Sequence, residues 1–246
     1  MNTIEQAIQV FLQKNNYKQL TLRAILFDMD GVIYDSMPNH AYSWAKVMQM
    51  HGFNMSKEEA YLHEGRKGDE TIGIVSKREG KVVSAEERKR IYQEKTEIFV
   101  QNAEIFPIKG SLELLRKTTG SGLFAMLVTG SGQPSLLDRL NNDFPGIFTR
   151  DRMITSFDVE NGKPHPEPYL KALQKGNLKP NETIVVENAP LGIESARAAG
   201  LFVVAVNTGP LSDAVLLDAG AHILFPSIEA LSADFHRFTL GLSWQA

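Results

Sequence analysis

The sequence predicts an α/β protein, a doubly wound parallel sheet with one inserted all-helical domain. Three observations predict it. Short runs that are apolar on both faces recur, each ending at a polar cluster: LRAILFD (22–28), LFAMLVTG (123–130), RMITSFD (152–158), TIVVEN (183–188), FVVAVN (202–207) and HILF (222–225). Strands of a parallel sheet are buried on both faces and have that composition. Helical periodicity fills the gaps between the later runs, the alternation of a doubly wound, Rossmann-like sheet. The first two runs are separated by more chain than one crossover uses, and residues 36–106 between them are patterned for helices alone.

Each element has its own signal. Ile4, Ala7, Ile8, Phe11 and Leu12 share one helical face, which predicts a short amphipathic helix on the body of the protein. Glu5, Gln6, Gln9 and Gln13 interrupt any apolar stretch there, so a signal peptide is not expected. In the insert, Ala41, Trp44, Ala45 and Met48 line one helix face. Ser56 with Glu59 and Ser84 with Glu87 have capping-box spacing, which predicts helices beginning near 57 and 85. Pro38, Pro107 and Gly110 punctuate the expected hinges at 35–37 and 106–110. The expected division is core over 1–35, helical cap over 36–106 and core again over 107–246. GSLELLRK supplies the helix that follows the insert. Another helix opens at Pro134 with Leu136, Leu137 and Leu140 on its face, a third follows Pro166, and a fourth runs from Pro190 to a stop at Gly200.

Composition narrows the function classes. Over 246 residues, 43% hydrophobic and 22% charged residues are ordinary for a globular protein that buries a sizeable core. A net charge of −3 offers no basic footprint for nucleic acid. No run approaches the roughly 18 apolar residues of a membrane helix. Cysteine is absent, which excludes disulfides and thiolate metal sites and fits a reducing cytoplasm. No segment predicts a protein partner, and a monomer is expected.

Ligands of an open α/β sheet sit outside the carboxyl ends of its strands. That rule collects Asp28 and Asp30, Thr129 to Ser131, Asp158 with the following NGKPHPEP, and Glu187 with Asn188. In FDMDGVIYDS, Asp28 ends an apolar run and Asp30 follows two residues on, so both side chains share one side of an extended chain. Gly31 permits a sharp turn. Two close carboxylates repel unless a cation lies between them. Oxygen donors without Cys or His suit Mg²⁺, which also favours phosphates. A strand terminator followed by an Asp-Gly turn would leave the same pattern. VTGSG, with Thr129, Gly130 and Ser131, exposes backbone N–H groups ahead of a helix, which makes an anion cradle or simply a common turn. GKPHPEPYL sets Lys163 before prolines that stiffen its loop, and that charge suits a phosphoryl oxygen or a solvated surface alike.

Taken together, the motifs are specific. D-x-D-G-V at the first strand, Thr at the second, Lys-Pro before a helix and Glu-Asn at the fourth resemble the haloacid dehalogenase (HAD) superfamily of phosphotransferases. The helical insert is similar to its C1 cap. FDMDGVIYDS, GKPHPEPYL and VVENAPLGIESARAAG resemble the β-phosphoglucomutase-like branch, and the likeness covers nearly all of the chain beyond the N-terminal helix. HEGR and ENAPLG are similar to the branch's inorganic pyrophosphatase type, once labelled β-phosphoglucomutase. The resemblance implies that Asp28 is a nucleophile that becomes an aspartyl phosphate, and that Asp30 protonates the leaving group and then activates water. It implies that Thr129 and Lys163 bind the transferring phosphoryl group. It also implies that Asp28, the Asp30 backbone carbonyl and Asn188 hold Mg²⁺, with Glu187 in or near that set.

Most members of the superfamily carry Asp where this chain has Asn188. The site is thus one unit less negative than the usual pattern, and a weaker metal site is expected unless another anion helps. LHEGRKGDET, in an expected loop between cap helices, supplies a candidate in Glu64, which would reach the metal directly or through water on closure. Arg66 and Lys67 are candidates for a second phosphate, and His40 for substrate contact or proton transfer. Each of these has an ordinary surface or structural alternative. The expected activity is Mg²⁺-dependent phosphohydrolysis of a compact phosphate compound, inorganic pyrophosphate first. Phosphoryl transfer between C1 and C6 of glucose phosphate and hydrolysis of sugar phosphates are alternatives. A phosphate-binding scaffold without turnover is a more distant one.

Overall fold

A computed structural model describes residues 3–102, 105–132, 134–239 and 243–245, without the side chains of 134–137 and 243–245. Strand β1 (Gln19–Thr21) leads into β2 (Ala24–Phe27), followed by β3 (Phe124–Val128), β4 (Met153–Ile154), β5 (Thr183–Glu187), β6 (Phe202–Val206), β7 (Ile223–Phe225) and β8 (Ser243–Gln245). Strands β2 to β7 form one parallel sheet in the order β4-β3-β2-β5-β6-β7. The chain therefore winds outward from β2 in both directions, the predicted doubly wound class.

Alternation along each strand feeds two cores. Ile25, Phe27, Leu127 and Val186 face α1 (Ile4–Lys14), α6 (Ser111–Gly120) and α11 (Ile228–Asp234) through Ile8, Leu115 and Leu231. Leu26, Met126, Val185 and Val203 face α8 (Glu167–Gly176) and α9 (Pro190–Ala198) through Tyr169, Leu173 and Ile193. A third apolar cluster belongs to α2 (Met37–Met50), α3 (Lys57–Leu62), α4 (Gly68–Arg78) and α5 (Ala85–Gln101), around Trp44, Met48, Ile72 and Ile91. No helix among the described residues is long and apolar enough to cross a membrane.

Register decides what meets at the carboxyl ends. Phe27 lies opposite Leu127 on one side and Val186 on the other, so Asp28, Thr129 and Glu187 emerge together.

Several details differ from the sequence expectations. RMITSFD holds a strand of two residues, because Asp158 turns the chain back by accepting from Thr155 N and Oγ1, each at 2.8 Å. Arg150 also pairs with Asp158 and holds its carboxyl down to about 2, against the effect of burial. That residue is a turn lock and not part of the strand-end cluster. Ser56 and Ser84 each accept the amide three residues on, at 3.1 Å, but the Glu59 carboxylate goes to Arg78 and His63. A complete capping box instead opens α1, between Thr3 and Gln6. Leu140 is buried as expected on α7 (Pro134–Asp143), whereas the side chains of Leu136 and Leu137 lie outside the described residues. The β1–β8 pair was not expected, since three residues carry too little periodicity to signal a strand.

His222, just ahead of β7, stacks on Phe202 at 4.6 Å and accepts the Val203 amide at 2.9 Å. Burial, with Arg197 and Lys14 nearby, pushes its pKa from 6.5 down to about 3. Between those values the unfolded chain takes up a proton that the folded ring refuses, so stability falls as pH drops through that window. His222→Phe should flatten the acid side of the Tm–pH curve by about one proton. An unchanged slope in phosphate-free buffer would assign the acid sensitivity elsewhere.

Candidate active site

Lys163 is the hub of the buried strand ends. Its Nζ donates to Asp28 Oδ1 at 2.5 Å, to Glu187 Oε1 at 2.6 Å and to the Val128 carbonyl at 3.1 Å. Only 1% of this lysine is exposed, so its ammonium depends on those three acceptors. Burial opposes its charge, but Asp28 and Glu187 outweigh burial and raise its pKa. Glu187 is engaged on both oxygens. Oε1 also accepts Tyr169 Oη–H at 2.6 Å, and Oε2 accepts the amides of Asn188 at 3.1 Å and Ala189 at 3.5 Å. The sequence reading put Glu187 in or near a metal set, whereas here it anchors Lys163. Lys163 in turn donates to both Asp28 and Glu187.

Gly192, in the first turn of α9, makes this anchor possible. A Cβ there would meet Glu187 Oε1 at 2.0 Å and Oε2 at 2.4 Å. Sequence reasoning missed Gly192 and Tyr169, although both lie inside the quoted motifs. Nothing in their spacing marks them as supports for a carboxylate.

Asp30 stands just ahead of a tight turn at Gly31, whose φ is +79°. Its Oδ1 accepts Ser36 Oγ–H at 2.5 Å and lies 3.2 Å from His40 Nε2, whose Nδ1 lies 2.6 Å from Lys95 Nζ. An ammonium is donor only, so with Lys95 charged Nδ1 accepts and Nε2–H points to Asp30. Burial alone would raise Asp30, but His40, Ser36 and Lys95 together hold it below its usual pKa. Burial pushes Lys95 down to about 7. Among the described residues the two aspartate side chains share no hydrogen-bond partner. Each has its own. Lys95 comes from the middle of the cap helix α5, and no sequence motif pointed to it.

The cap loop closes over these groups. Glu64 is 8% exposed and its Oε1 accepts Asn188 Nδ2–H at 2.9 Å. Gly65, at φ +83°, packs so close that a Cβ would meet Lys163 Cδ at 2.7 Å, while its carbonyl lies against Gly130. Asp30, His40, Glu64, Arg66, Gly130 and Ser131 line the cavity beneath, about 50 Å³ in volume. The Ser131 amide donates to Thr129 Oγ1 at 2.9 Å, which shapes the cradle. Lys67 does not line the cavity. It reaches outward and donates to the Val159 and Glu160 carbonyls at 3.2 and 3.1 Å, tying cap to core. This corrects its expected role at a second phosphate, because the chain turns between Arg66 and Lys67 and only the arginine stays inside.

The comparisons with known proteins agree with this geometry. Residues 25–206 match the model of the haloacid dehalogenase-like hydrolases. The chain belongs to that family. A Thermotoga maritima phosphorylated carbohydrates phosphatase is 30% identical, covering 86% of this chain and 97% of its own. Hexitol phosphatase A of Escherichia coli is 29% identical over 75% of this chain and 83% of its own. A solved Bacteroides vulgatus protein, provisionally described as a beta-phosphoglucomutase, superposes with a TM-score of 0.93 at 53% identity over 97% of each chain.

The haloacid dehalogenase-like core of this chain fits a divalent cation. Asn188 Oδ1 is buried and has no hydrogen-bond partner among the described residues. Burial, with Glu187 and Asp30 nearby, pushes Asp28 up to about 8 despite Lys163. Burial, with Asp28 nearby, likewise raises Glu64 well above its usual range. An unpartnered oxygen amid surplus buried negative charge is what a hard cation would satisfy. No three His, Cys, Asp or Glu residues converge as a metal cluster among the described residues, since the corner relies on an amide.

Two substitutions test the architecture. Gly192→Ala should force Glu187 off Lys163, lowering stability by about 1–3 kcal/mol and activity with it. A wild-type Tm and rate would show that Glu187 has room to spare. Lys67→Met should leave Tm within a few degrees and raise KM more than it changes kcat. An unchanged KM would mean that the Lys67 tie does not contribute to closure.

Proposed function

We propose that the protein is a Mg²⁺-dependent phosphohydrolase that carries the phosphoryl group on Asp28, with inorganic pyrophosphate as its leading substrate. The observation that carries this reading is the Glu64–Asn188 contact, which sets a cap carboxylate on the metal corner and leaves a small cavity below. The cavity is narrow, about 50 Å³, and is lined by Asp30, His40, Glu64 and Arg66, which favours a compact charged substrate. In this reading residues 36–106 act as the cap and the remainder as the core.

Lys163 holds Asp28 Oδ1, which leaves Oδ2 to attack phosphorus. The phosphorus–bridging oxygen bond breaks, its electron pair stays on the leaving oxygen, and Asp30 delivers a proton there from its protonated form, which its neighbours keep a minority in the free site. Water then attacks the phosphorus of the aspartyl phosphate, Asp30 takes the water's proton, and orthophosphate departs with Asp28 restored. The His40 ring and Ser36 hold the Asp30 carboxyl in place through both steps. Thr129, Gly130 and Ser131 cradle the transferring group. Arg66 lines the cavity with a buried Nε that has no partner among the described residues, and it offers that donor to the second phosphate. Bound between Asp28, the Asp30 carbonyl and Asn188 Oδ1, Mg²⁺ would supply charge stabilisation for the transfer.

Sugar phosphates are the second reading, favoured by the names of the relatives and by the 53% identical Bacteroides vulgatus neighbour. They include mutase chemistry between C1 and C6 of glucose phosphate. A panel assay with Mg²⁺ separates the two. Pyrophosphate should give the highest kcat/KM, ahead of β-glucose 1-phosphate with a bisphosphate primer and of other sugar phosphates. Preferential formation of glucose 6-phosphate would replace the first reading with the second. Glu64→Gln should lower activity about 10–100-fold while keeping the fold. Unchanged kinetics would remove Glu64 from the mechanism.

A further inference from the structure

A second group of cations lies at the opposite end of the sheet, by the amino ends of β6 and β7. There α1 borders a cleft of about 220 Å³ lined by Lys14, Arg197, Gly220 and His222 among others. His222 Nδ1 accepts the Val203 amide at 2.9 Å. A peptide N–H can only donate, so the ring proton of neutral His222 sits on Nε2. The polar neighbour of Nε2 is Arg197 Nη1, and a guanidinium has donors alone. Two donors therefore face each other with no acceptor between them.

Among the described residues, no hydrogen bond or ion pair supplies that acceptor. Among the described residues, neither Arg197 nor Lys14 is paired with a carboxylate, and the one influence on Arg197 is burial, which lowers its pKa. Gly220, at φ +105°, leaves room for the arginine, since a Cβ there would meet Arg197 Cγ at 3.2 Å and Nε at 3.4 Å. Lys14, Gly220 and His222 all fall outside the residues that match the family model. The cleft is thus built where the N-terminal helix meets the C-terminal part of the sheet.

We propose that this cleft is a binding site for a small oxyanion of the phosphate or carboxylate class, separate from the active site. Its oxygens accept from His222 Nε2–H and from the Arg197 guanidinium, which rotates away from the ring to share the anion. Lys14 adds charge from α1. The site goes beyond the proposed hydrolysis and does not depend on it.

Titration of the full chain with inorganic phosphate, followed by heteronuclear NMR at constant ionic strength, tests the site. The Val203 amide and His222 ring should shift along one saturating curve, distinct from the curve of the Thr129 and Ser131 amides in the active site. Arg197→Gln should abolish the first curve and leave the second. Lys14→Gln, at an exposed position that leaves the core untouched, should weaken the first several-fold and serves if the arginine variant does not fold. Acetate and sulfate arms identify the class: a response to all three indicates any oxyanion, and a response to phosphate and sulfate alone indicates a tetrahedral one. Shifts reproduced by chloride, or unchanged in both variants, would overturn the proposal, whatever happens at Thr129 and Ser131.

Discussion

The structure depends on one buried ammonium. Lys163 sits where three strand ends meet, and it is the cation that lets Asp28 and Glu187 approach each other away from water. Removing one partner of a buried pair costs about 3–5 kcal/mol, because the other charge is left behind. Tyr169, two backbone amides and the missing side chain of Gly192 all serve to keep Glu187 beneath that lysine. The sheet order does the rest, since β3 and β5 flank β2 and deliver Thr129 and Glu187 beside Asp28.

The cap completes what the core leaves unbalanced. Gly65 meets Gly130 and the Lys163 side chain with no room for a Cβ, so steric fit limits how the loop closes. In the proposed function, specificity falls to the few side chains that the closed loop turns inward, Glu64 and Arg66. The neighbouring Lys67 is used to tie the loop to the core. One step along the chain separates a group aimed at the ligand from a group that holds the door.

Much of this was legible in the sequence. Six apolar runs marked the six strands of the sheet, and the cap helices showed in Ala41, Trp44 and Met48 and in the two serine caps. The four motifs at the strand ends indicated which side chains meet. The partners of those side chains were not legible. Ser36, Lys95 and Tyr169 act through positions that only the folded chain brings within reach, and no periodicity marks them. Asp158 shows the converse error: it follows an apolar run as Asp28 does, but its carboxylate is spent on Thr155 and Arg150, so proximity to a strand end did not make it part of the site. The β1–β8 pair was invisible for another reason, because each strand is too short to have a pattern and the two lie far apart in sequence.

That pair also shapes how the fold is reached. Leu20 pairs with Trp244, so the segment leading into β2 and Asp28 finds its partner almost a full chain length later. Closing so long a loop is entropically late, and local helices and the inner strands gain their contacts sooner. A nascent chain emerging from the ribosome can assemble the sheet around β2 while β1 still lacks its mate. The lead-in to the strand that ends at Asp28 is then among the last backbone to be pinned, which makes it the natural place for the completed fold to begin to fray.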